Sequence, residues 1–309
     1  MNFNSNKESP DFENVTISQL LNILIEKKAL ITILTTLFGI VSVFYSLSLS
    51  NYYQSAATVK VVSSGSNQDN SSFISQYSGL AGLAGIDIGS SSNVSDTDLV
   101  IEQIKSRDFS KHLMEIDPSI IPNIIAAIDF NFSSGRIIYD ETLFKSNKWI
   151  RESKSGNSVP SYIEVNQKIL SDILKVSENE KNGLIRISVE HYSPVFAESF
   201  LNFIIAEINS INKSRDQLSA KSSIEYLENI ASKSQIASVQ SAVSSLIENQ
   251  IKKLMLSDVK EFYTIEPIDS PFLPEIKAGP QRSLICIMIT LIGFIFSCLV
   301  ALFLFFRKN

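Results

Sequence analysis

Two long apolar runs, residues 29–49 and 284–306, constrain the fold of this chain more than any other feature. At about 1.5 Å of rise per residue, a helix over either run can cross a hydrocarbon core of roughly 30 Å. Neither run contains Asp, Glu, Lys, Arg or His, which argues against an ion path or proton relay inside it. We therefore predict two transmembrane helices. The alternatives are a buried core helix for either run and a cleaved signal peptide for the first.

Basic residues at the outer ends of the two runs predict the orientation of the chain in a membrane. They are Lys27, Lys28, Arg307 and Lys308. Because cytoplasmic flanks are enriched in Lys and Arg, we expect residues 1–28 and 307–309 in the cytoplasm and the bulk of the chain on the other side. Residues 16–19 have the spacing of a helix start. They predict an amphipathic helix at the membrane surface, or an extension of the first transmembrane helix.

Composition and side-chain chemistry exclude several classes of function. A net charge of −5 argues against a nucleic-acid partner, and 44% apolar residues argue against a disordered chain. Cys286 and Cys298 would lie about 18 Å apart on one helix, too far for a disulfide. His112 and His191 lack metal-ligand spacing and are expected at a surface or interface. With no catalytic motif in the sequence, we predict a non-enzymatic protein without a cofactor or metal.

The segment 50–194 mixes strand and helix patterns and predicts an α/β domain. Alternating β-branched and polar residues predict strands over residues 57–61 and 185–189. A turn is expected at Asn182-Gly183, before the second strand. Strands and helices in this arrangement form a compact α/β unit.

Apolar spacing predicts two helices within the same domain, over residues 98–116 and 162–174. Pro118 is expected to end the first of them. The glycine-rich stretch 78–89 is not followed by the Lys-Ser or Lys-Thr of a phosphate-binding loop. We expect it to be a flexible loop or a contact surface of small residues.

Residues 195–266 contain neither glycine nor proline, although globular helices average only about 11 to 12 residues. Apolar residues recur there at intervals near three and four, as in a helix that packs along a narrow stripe. We predict a helical arm, either one helix of about 100 Å or two helices with a break near residues 210–215. A narrow stripe needs neighbouring protomers, so we expect a homo-oligomer. The arm residues expected at its contacts are Val239, Val243, Leu246 and Leu254.

A proline-rich segment, residues 267–283, follows the arm and leads to the second apolar run. Its notable residues are Pro267, Pro271, Pro274, Pro280 and Arg282. Because proline fixes φ and removes a backbone donor, the segment is expected to be extended and stiff. It would act as a lever between the outer domain and the membrane, or as a simple spacer.

Small side chains recur on one face of each apolar run. They are Gly39, Ser42 and Ser46 in the first run and Gly293, Ser297 and Ala301 in the second. Small residues let transmembrane helices approach closely, so we predict that these two faces pack together. The predicted fold class is an α/β membrane protein, in which two transmembrane helices flank an α/β domain with a long, coiled-coil-like helix.

Several motifs along the chain resemble those of one protein family. They are residues 78–89, 106–109, 183–194, 245–250, 254–257, 268–275 and 278–282. Their order is similar to that of the Wzz-type chain-length determinants, also called polysaccharide co-polymerases, over nearly the whole chain. Pro274 and Pro280 match the proline positions of that family, although the five residues between them depart from the more regular spacing of many members.

The resemblance implies an inner-membrane protein of a Gram-negative bacterium whose protomers assemble side by side in the periplasm. Such proteins set the chain length of lipopolysaccharide O-antigen by acting on the membrane glycan polymerase, without making bonds themselves. The implied partners are other copies of the chain, the polymerase, the lipid bilayer and lipid-linked polysaccharide. Two alternatives stay open. One is a capsule or exopolysaccharide export co-polymerase that works with a separate tyrosine kinase, and the other is a periplasmic sensor or receptor.

Overall fold

The chain divides into two units that are joined at two points. The residues described by the computed structural model are 25–62, 95–151, 158–233 and 237–308. The helix unit comprises residues 1–50 and 279–309, and the α/β unit comprises residues 51–278. The amphipathic helix expected near residues 16–24 and the glycine-rich stretch 78–89 lie outside the described residues.

The described residues form eight α-helices and eight strands, numbered here in chain order. The helices are α1 (Lys28–Ser48), α2 (Asp96–Lys105), α3 (Arg107–Ile116), α4 (Ile120–Ile125), α5 (Tyr162–Lys168), α6 (Pro194–Lys233), α7 (Ala237–Val259) and α8 (Arg282–Lys308). The strands are β1 (Tyr53–Val61), β2 (Ala127–Asn131), β3 (Arg136–Tyr139), β4 (Phe144–Lys145), β5 (Lys148–Trp149), β6 (Leu174–Asn179), β7 (Leu184–His191) and β8 (Ile265–Asp269). A π-helical turn, Ile169–Ile173, joins α5 to β6.

The helix unit consists of α1 and α8, which pack against each other. Their most apolar windows have mean hydropathies of 2.1 and 2.8, and both helices are long enough to cross a membrane. They cover the two apolar runs of the sequence almost residue for residue. The extended backbone of Leu49, with ψ of 129°, ends α1.

The α/β unit is built on an antiparallel sheet with the strand order β6-β7-β1-β8. The predicted strand over residues 185–189 is the centre of β7, and the turn before it contains Gly183 at φ of +65°. Ile185, Ile187 and Val189 are buried on one face, as their alternation predicts. Ser188 is also buried, so the opposite face of β7 is not uniformly exposed to solvent.

Strand β8 lies at the edge of this sheet and contains the first residue of the proline-rich segment. Pro267 is paired with Val59 of β1, beside an irregularity in the register. A proline has no backbone N–H to donate, and it is tolerated in an edge strand at a position whose N–H would point away from the sheet. The prolines therefore begin inside the sheet rather than after it.

The single helix expected over residues 98–116 is wrong, because the chain forms α2 and α3 with a break at Ser106. The backbone of Ser106 is extended, with ψ of 151°, and its hydroxyl accepts a hydrogen bond from the N–H of Phe109. This is the geometry of an N-cap, which begins a new helix. The helix expected over residues 162–174 is present as α5 and the π-helical turn, and its last residue, Leu174, already belongs to β6.

The arm folds back on itself, and the break expected near residues 210–215 is wrong. Helix α6 runs without interruption through these residues for 40 residues, or about 60 Å. Near the other end of α7, Ser257 Oγ and Asp258 Oδ1 accept hydrogen bonds from Gln217 Nε2, at 3.1 and 2.8 Å. Since α6 ends at Lys233 and α7 contacts it again at Gln217, the two helices form an antiparallel hairpin. The residues between them, 234–236, lie outside the described part of the chain.

The hydrophobic core of the α/β unit lies between the sheet and the first half of α6. Helical spacing places four fully buried side chains on one face of α6, namely Phe200, Leu201, Ile204 and Ile208. They belong to one cluster with the buried strand residues Val59, Ile185, Ile187 and Val189. Burying each such side chain contributes roughly 1.5 to 3 kcal/mol. The core therefore fixes the base of the helical hairpin to the sheet.

Candidate functional site

The contact between α1 and α8 contains two glycines, Gly39 and Gly293, which differ in how much space surrounds them. A Cβ atom on Gly293 would lie 2.5 Å from both Cβ and Cγ of Phe38, closer than non-bonded carbon atoms approach. A Cβ atom on Gly39 would meet only Thr290 Oγ1, at an ordinary contact distance of 3.9 Å. Gly293 is therefore the residue that permits the close approach of the two helices.

Hydroxyl and methyl side chains fill the rest of this helix contact. The buried small residues are Ser42, Ser46, Ser297 and Ala301, and Ile31 of α1 is buried as well. Ser46 Oγ donates to the carbonyl oxygen of Arg282 across the contact, at 3.4 Å, while Ser297 Oγ donates to that of Gly293, at 2.6 Å. The six small residues predicted from the sequence thus lie on the sides of α1 and α8 that meet.

The opposite sides of the two helices carry large apolar side chains. Exposed examples are Leu37, Phe44, Ile287 and Phe303. A helix pair with small and polar residues between the helices and bulky apolar residues outside is typical of a membrane environment, because lipid replaces water at the outer surface. The charged residues stay at the ends of the helices.

The other prolines that the sequence analysis named in the proline-rich segment are buried to different degrees. Pro274 is buried, whereas Pro271 and Pro280 are half-buried. Arg282 is the first residue of α8, and its Nη2 donates to the carbonyl oxygen of Leu49, at 3.2 Å. This bond joins the end of α1 to the beginning of α8. Leu49 and Arg282 therefore close the helix unit at the end where the α/β unit is attached.

Besides the pairing of its first residues in β8, two further hydrogen bonds attach the proline-rich segment to the rest of the α/β unit. Ser55 Oγ, in β1, donates to the carbonyl oxygen of Phe272 at 2.7 Å. The N–H of Ala278 donates to the carbonyl oxygen of Tyr52 at 2.9 Å. The second bond joins the segment that follows α1 to the segment that precedes α8. The segment is irregular between residues 270 and 278, but it is fixed at both bonds.

The four arm residues predicted at oligomer contacts lie on α7 but differ in exposure. Val243 is buried and Leu254 is half-buried, so both face neighbouring atoms of this chain. Leu246 is 40% exposed. The side chain of Val239 lies outside the described part of the chain. Among the three whose side chains the structure describes, Leu246 is the one exposed enough to meet another protomer.

Asn209 holds the chain after α7 in place, a role that sequence reasoning missed. Its Oδ1 accepts hydrogen bonds from three consecutive backbone N–H groups, those of Tyr263, Thr264 and Ile265, at 3.0, 2.6 and 3.0 Å. Its Nδ2 donates to the carbonyl oxygens of Ile265 and Ile205. The only signal in the sequence is an amide among the apolar residues of one helix face. This side chain connects α6 to the start of β8.

A cleft of about 250 Å³ lies beside the start of β1 and the end of β7. Its polar lining consists of Tyr52, Asn123, Lys168, Asp172, Glu190, His191 and Tyr192. Lys168 pairs with Asp172 at 2.5 Å, and this lysine holds the pKa of the Asp172 carboxyl below its usual range. Lys175 pairs with Glu190 at 2.6 Å. Each of the two acids thus has a basic partner.

His191 is buried at the back of this cleft, so the expectation that it lies at a surface or interface is wrong. Its Nδ1 accepts from the N–H of Ser193 at 3.0 Å, and therefore its Nε2 carries the hydrogen and donates to the carbonyl oxygen of Asn123 at 2.9 Å. Burial lowers the pKa of His191 to about 4. The ring is a neutral structural group at neutral pH. His112, by contrast, is half-exposed and lies 2.9 Å from Glu207.

The described residues contain no group of three or more His, Cys, Asp or Glu side chains that could hold a metal ion. Both cysteines are free thiols on α8. Among these residues, the polar groups with the most partners, such as Asn209 and His191, bind the backbone. Their arrangement fixes the fold rather than presenting a reactive group to a substrate.

Comparison with known proteins identifies the family that this chain resembles. Residues 13–115, about a third of the chain, match the family model of Wzz, the chain length determinant protein. No curated protein sequence is significantly similar to the chain. Among solved structures, a full-length bacterial polysaccharide co-polymerase is 14% identical, with a TM-score of 0.40. The match covers 95% of this chain and 99% of that one.

The fold and the comparisons together define the class of this protein. It is an α/β protein with two apolar terminal helices and a long central helix, and the helices together with the family match indicate an inner-membrane protein. The resemblance to the Wzz family of chain length determinants, predicted from the sequence motifs, is confirmed over residues 13–115. The matched segment contains α1, β1, α2 and nearly all of α3.

Proposed function

We propose that this protein regulates the chain length of a surface polysaccharide, the O-antigen of lipopolysaccharide, by acting on the membrane glycan polymerase. The family match over residues 13–115 carries the proposal, because the family is described as chain length determinants. The protein makes no bonds itself. Its effect on the polymerase comes from binding, and lipid-linked polysaccharide is a further partner.

In this proposal α1 and α8 span the bacterial inner membrane, and the α/β unit lies in the periplasm. The basic residues outside the two helices favour cytoplasmic ends for both. The tight contact at Gly293 holds the two helices together as one anchor. The proline-rich segment, which is bonded to Ser55 and Tyr52, then acts as a lever: a movement of the α/β unit would also move the start of α8.

The working form in this proposal is a homo-oligomer, assembled side by side through the helical hairpin. Large apolar side chains on α7 are exposed in the single chain. They are Leu246, Ile251, Met255, Leu256 and Val259. Exposed apolar residues at this density are typical of a surface that another protein covers. The purified protein is therefore expected to be oligomeric in lipid nanodiscs, and a monomer there would contradict this part of the proposal.

Deletion of the gene tests the regulatory function, with a gel of surface polysaccharide from deleted and complemented cells as the readout. We expect polymer of random length in the deletion strain and a restored cluster of preferred lengths on complementation. A change confined to capsule or exopolysaccharide would instead favour the export co-polymerase with a separate kinase. An unchanged profile of every surface polysaccharide would contradict the proposal and favour a periplasmic sensor.

A further inference from the structure

Three large apolar side chains are exposed within five residues of the proline-rich segment. Phe272 and Leu273 are each 49% exposed, and Ile276 is 82% exposed. Together they form what we call the apolar segment, residues 272–276. It lies between β8, the edge strand of the sheet, and α8. Exposing three such side chains in sequence to water is unfavourable, and burying each would gain roughly 1.5 to 3 kcal/mol.

The apolar segment cannot bury these side chains by folding back onto the α/β unit. The carbonyl oxygen of Phe272 is bonded to Ser55 Oγ, and the Ser55 side chain is itself buried. Pro274, between the exposed residues, is buried, and Ala278 is bonded to Tyr52 just beyond them. The backbone is therefore fixed while the apolar side chains are held outward. Whatever covers these side chains must come from outside the unit.

The length of the chain restricts where the apolar segment can be. Ile276 precedes Arg282, the first residue of α8, by six residues. A fully extended chain of six residues spans at most about 21 Å. If α8 enters a bilayer, as proposed above, Ile276 must remain within this distance of the point of entry. The headgroup region of a bilayer extends into this zone.

From these observations we propose that the apolar segment inserts Phe272, Leu273 and Ile276 into the interfacial region of the bilayer. The partner is the lipid surface itself, and the contact is a second attachment in addition to the two helices. The inference rests on the proposed membrane insertion of α8. Glu275 and Lys277 flank Ile276 with opposite charges. The attraction is therefore apolar rather than electrostatic, and neutral lipids suffice.

Site-directed fluorescence of the full-length chain tests this contact. Cys286 and Cys298 are replaced by Ala, and Ile276→Cys is labelled with an environment-sensitive NBD fluorophore. The protein is placed in nanodiscs of phosphatidylcholine, with and without a spin-labelled phosphatidylcholine that quenches NBD. Leu291→Cys, exposed on α8, is the control for membrane insertion, and Tyr226→Cys is the exposed control on α6. Tyr226 lies 32 residues along α6 from Pro194, or about 48 Å.

We expect the label at Ile276 to be quenched to nearly the same extent as at Leu291, with blue-shifted emission, and the label at Tyr226 to be unaffected. The quenching at Ile276 should persist at high salt, because the contact is apolar. A water-like, unquenched label at Ile276 would overturn the inference. So would blue-shifted emission without quenching, which would mean that a protein surface covers the segment. Absence of quenching at Leu291 would instead overturn the proposed membrane insertion of α8.

Discussion

Two pairs of packed helices in this chain distribute their side chains in opposite ways. Between α1 and α8 lie a glycine, serines and an alanine, and large apolar residues cover the outside. The contacts between α6 and α7 include polar ones, from Gln217 to Ser257 and Asp258 and from Lys253 to Asp216. Ala220 of α6 and Val243 of α7 are buried as well. The outer surface of this hairpin mixes charged residues with the exposed apolar side chains of α7.

The difference reflects the medium that surrounds each pair. In lipid, apolar side chains gain nothing by leaving the outer surface, so close packing of small residues and hydroxyl bonds decides how α1 and α8 meet. In water, a helix pair gains by burying apolar area, and α6 does so mainly in its first half, against the sheet; Ala220 is the one buried apolar residue of its second half. The outer part of the hairpin is weakly packed within one chain. In the proposed oligomer, neighbouring copies would complete the packing of this part, whereas α1 and α8 pack against each other within one chain.

Replacement of Asn209 should have the largest effect on the hairpin side of this comparison. Asn209→Ala removes the side-chain acceptor that three backbone N–H groups near the start of β8 share. Loss of a buried hydrogen-bond partner costs about 1 to 3 kcal/mol and two of the three bonds are buried, so we expect the α/β unit to lose at least about 2 kcal/mol. Denaturant unfolding of the protein in detergent, followed by fluorescence of Trp149, measures the loss.

Asn202→Ala is the matched control for this variant. Asn202 also lies on α6, but its side chain is exposed and bonds only to the carbonyl oxygen of Glu198 within the same helix. Its replacement should change the free energy of unfolding by no more than about 0.5 kcal/mol. Equal effects of the two substitutions would mean that Asn209 does not anchor the hairpin to the sheet.

For the α1/α8 pair, two glycine substitutions should distinguish an effect on the close packing of the helices from an effect on helix propensity. Gly293→Ala places a methyl group against Phe38 and should weaken the packing of α1 and α8 by about 1 to 3 kcal/mol. Gly39→Ala meets ordinary contact distances and should be neutral or slightly stabilising. The two variants are compared by their thermal unfolding in detergent or by the yield of cross-links between α1 and α8. A pair of variants that behave alike would refute the close approach at Gly293.

The smallest predicted effect is a pH dependence confined to the α/β unit. Burial lowers the pKa of His191 to about 4, whereas an unfolded histidine titrates near 6.5. Between these values the unfolded chain binds more protons, so stability is lost as the pH falls from about 6.5 towards 4. From about pH 7.5 to about pH 5.5, we expect a loss of roughly 1 kcal/mol from this residue. His191→Gln should remove that part of the slope in unfolding followed by Trp149; an unaltered slope would show that His191 does not titrate this way.

Much of the fold was predictable because its signals are local. The two apolar helices follow from uninterrupted apolar runs, and β7 follows from alternation after Asn182-Gly183. The break between α2 and α3 has a local signal too, since Ser106 stands three residues before Phe109, whose N–H it caps. It was missed because the apolar spacing continues across the break. Periodicity alone does not report where a cap interrupts a helix.

The parts that could not be predicted depend on contacts between distant residues. The sequence between α6 and α7, like the rest of residues 195–266, contains no glycine or proline, so a continuous apolar stripe predicts one long arm. Asn209 is an ordinary polar residue until the chain near Ile265 returns to it. The set of small residues in the apolar helices was evident, but only the position of Phe38 distinguishes Gly293 from Gly39.

The central claim is that this chain sets polysaccharide length through a folded hairpin, and a pair of variants tests it most directly. Leu246→Pro removes a backbone bond inside α7 and costs about 3 kcal/mol of helix stability, whereas Leu246→Ala keeps the helix. Both are expressed at equal membrane levels in the deletion strain, and the length distribution of the surface polysaccharide is measured on a gel. We predict that the alanine variant, which shortens only one of the five exposed apolar side chains of α7, restores the preferred lengths and that the proline variant yields polymer of random length. The same ladder from both variants would contradict the account.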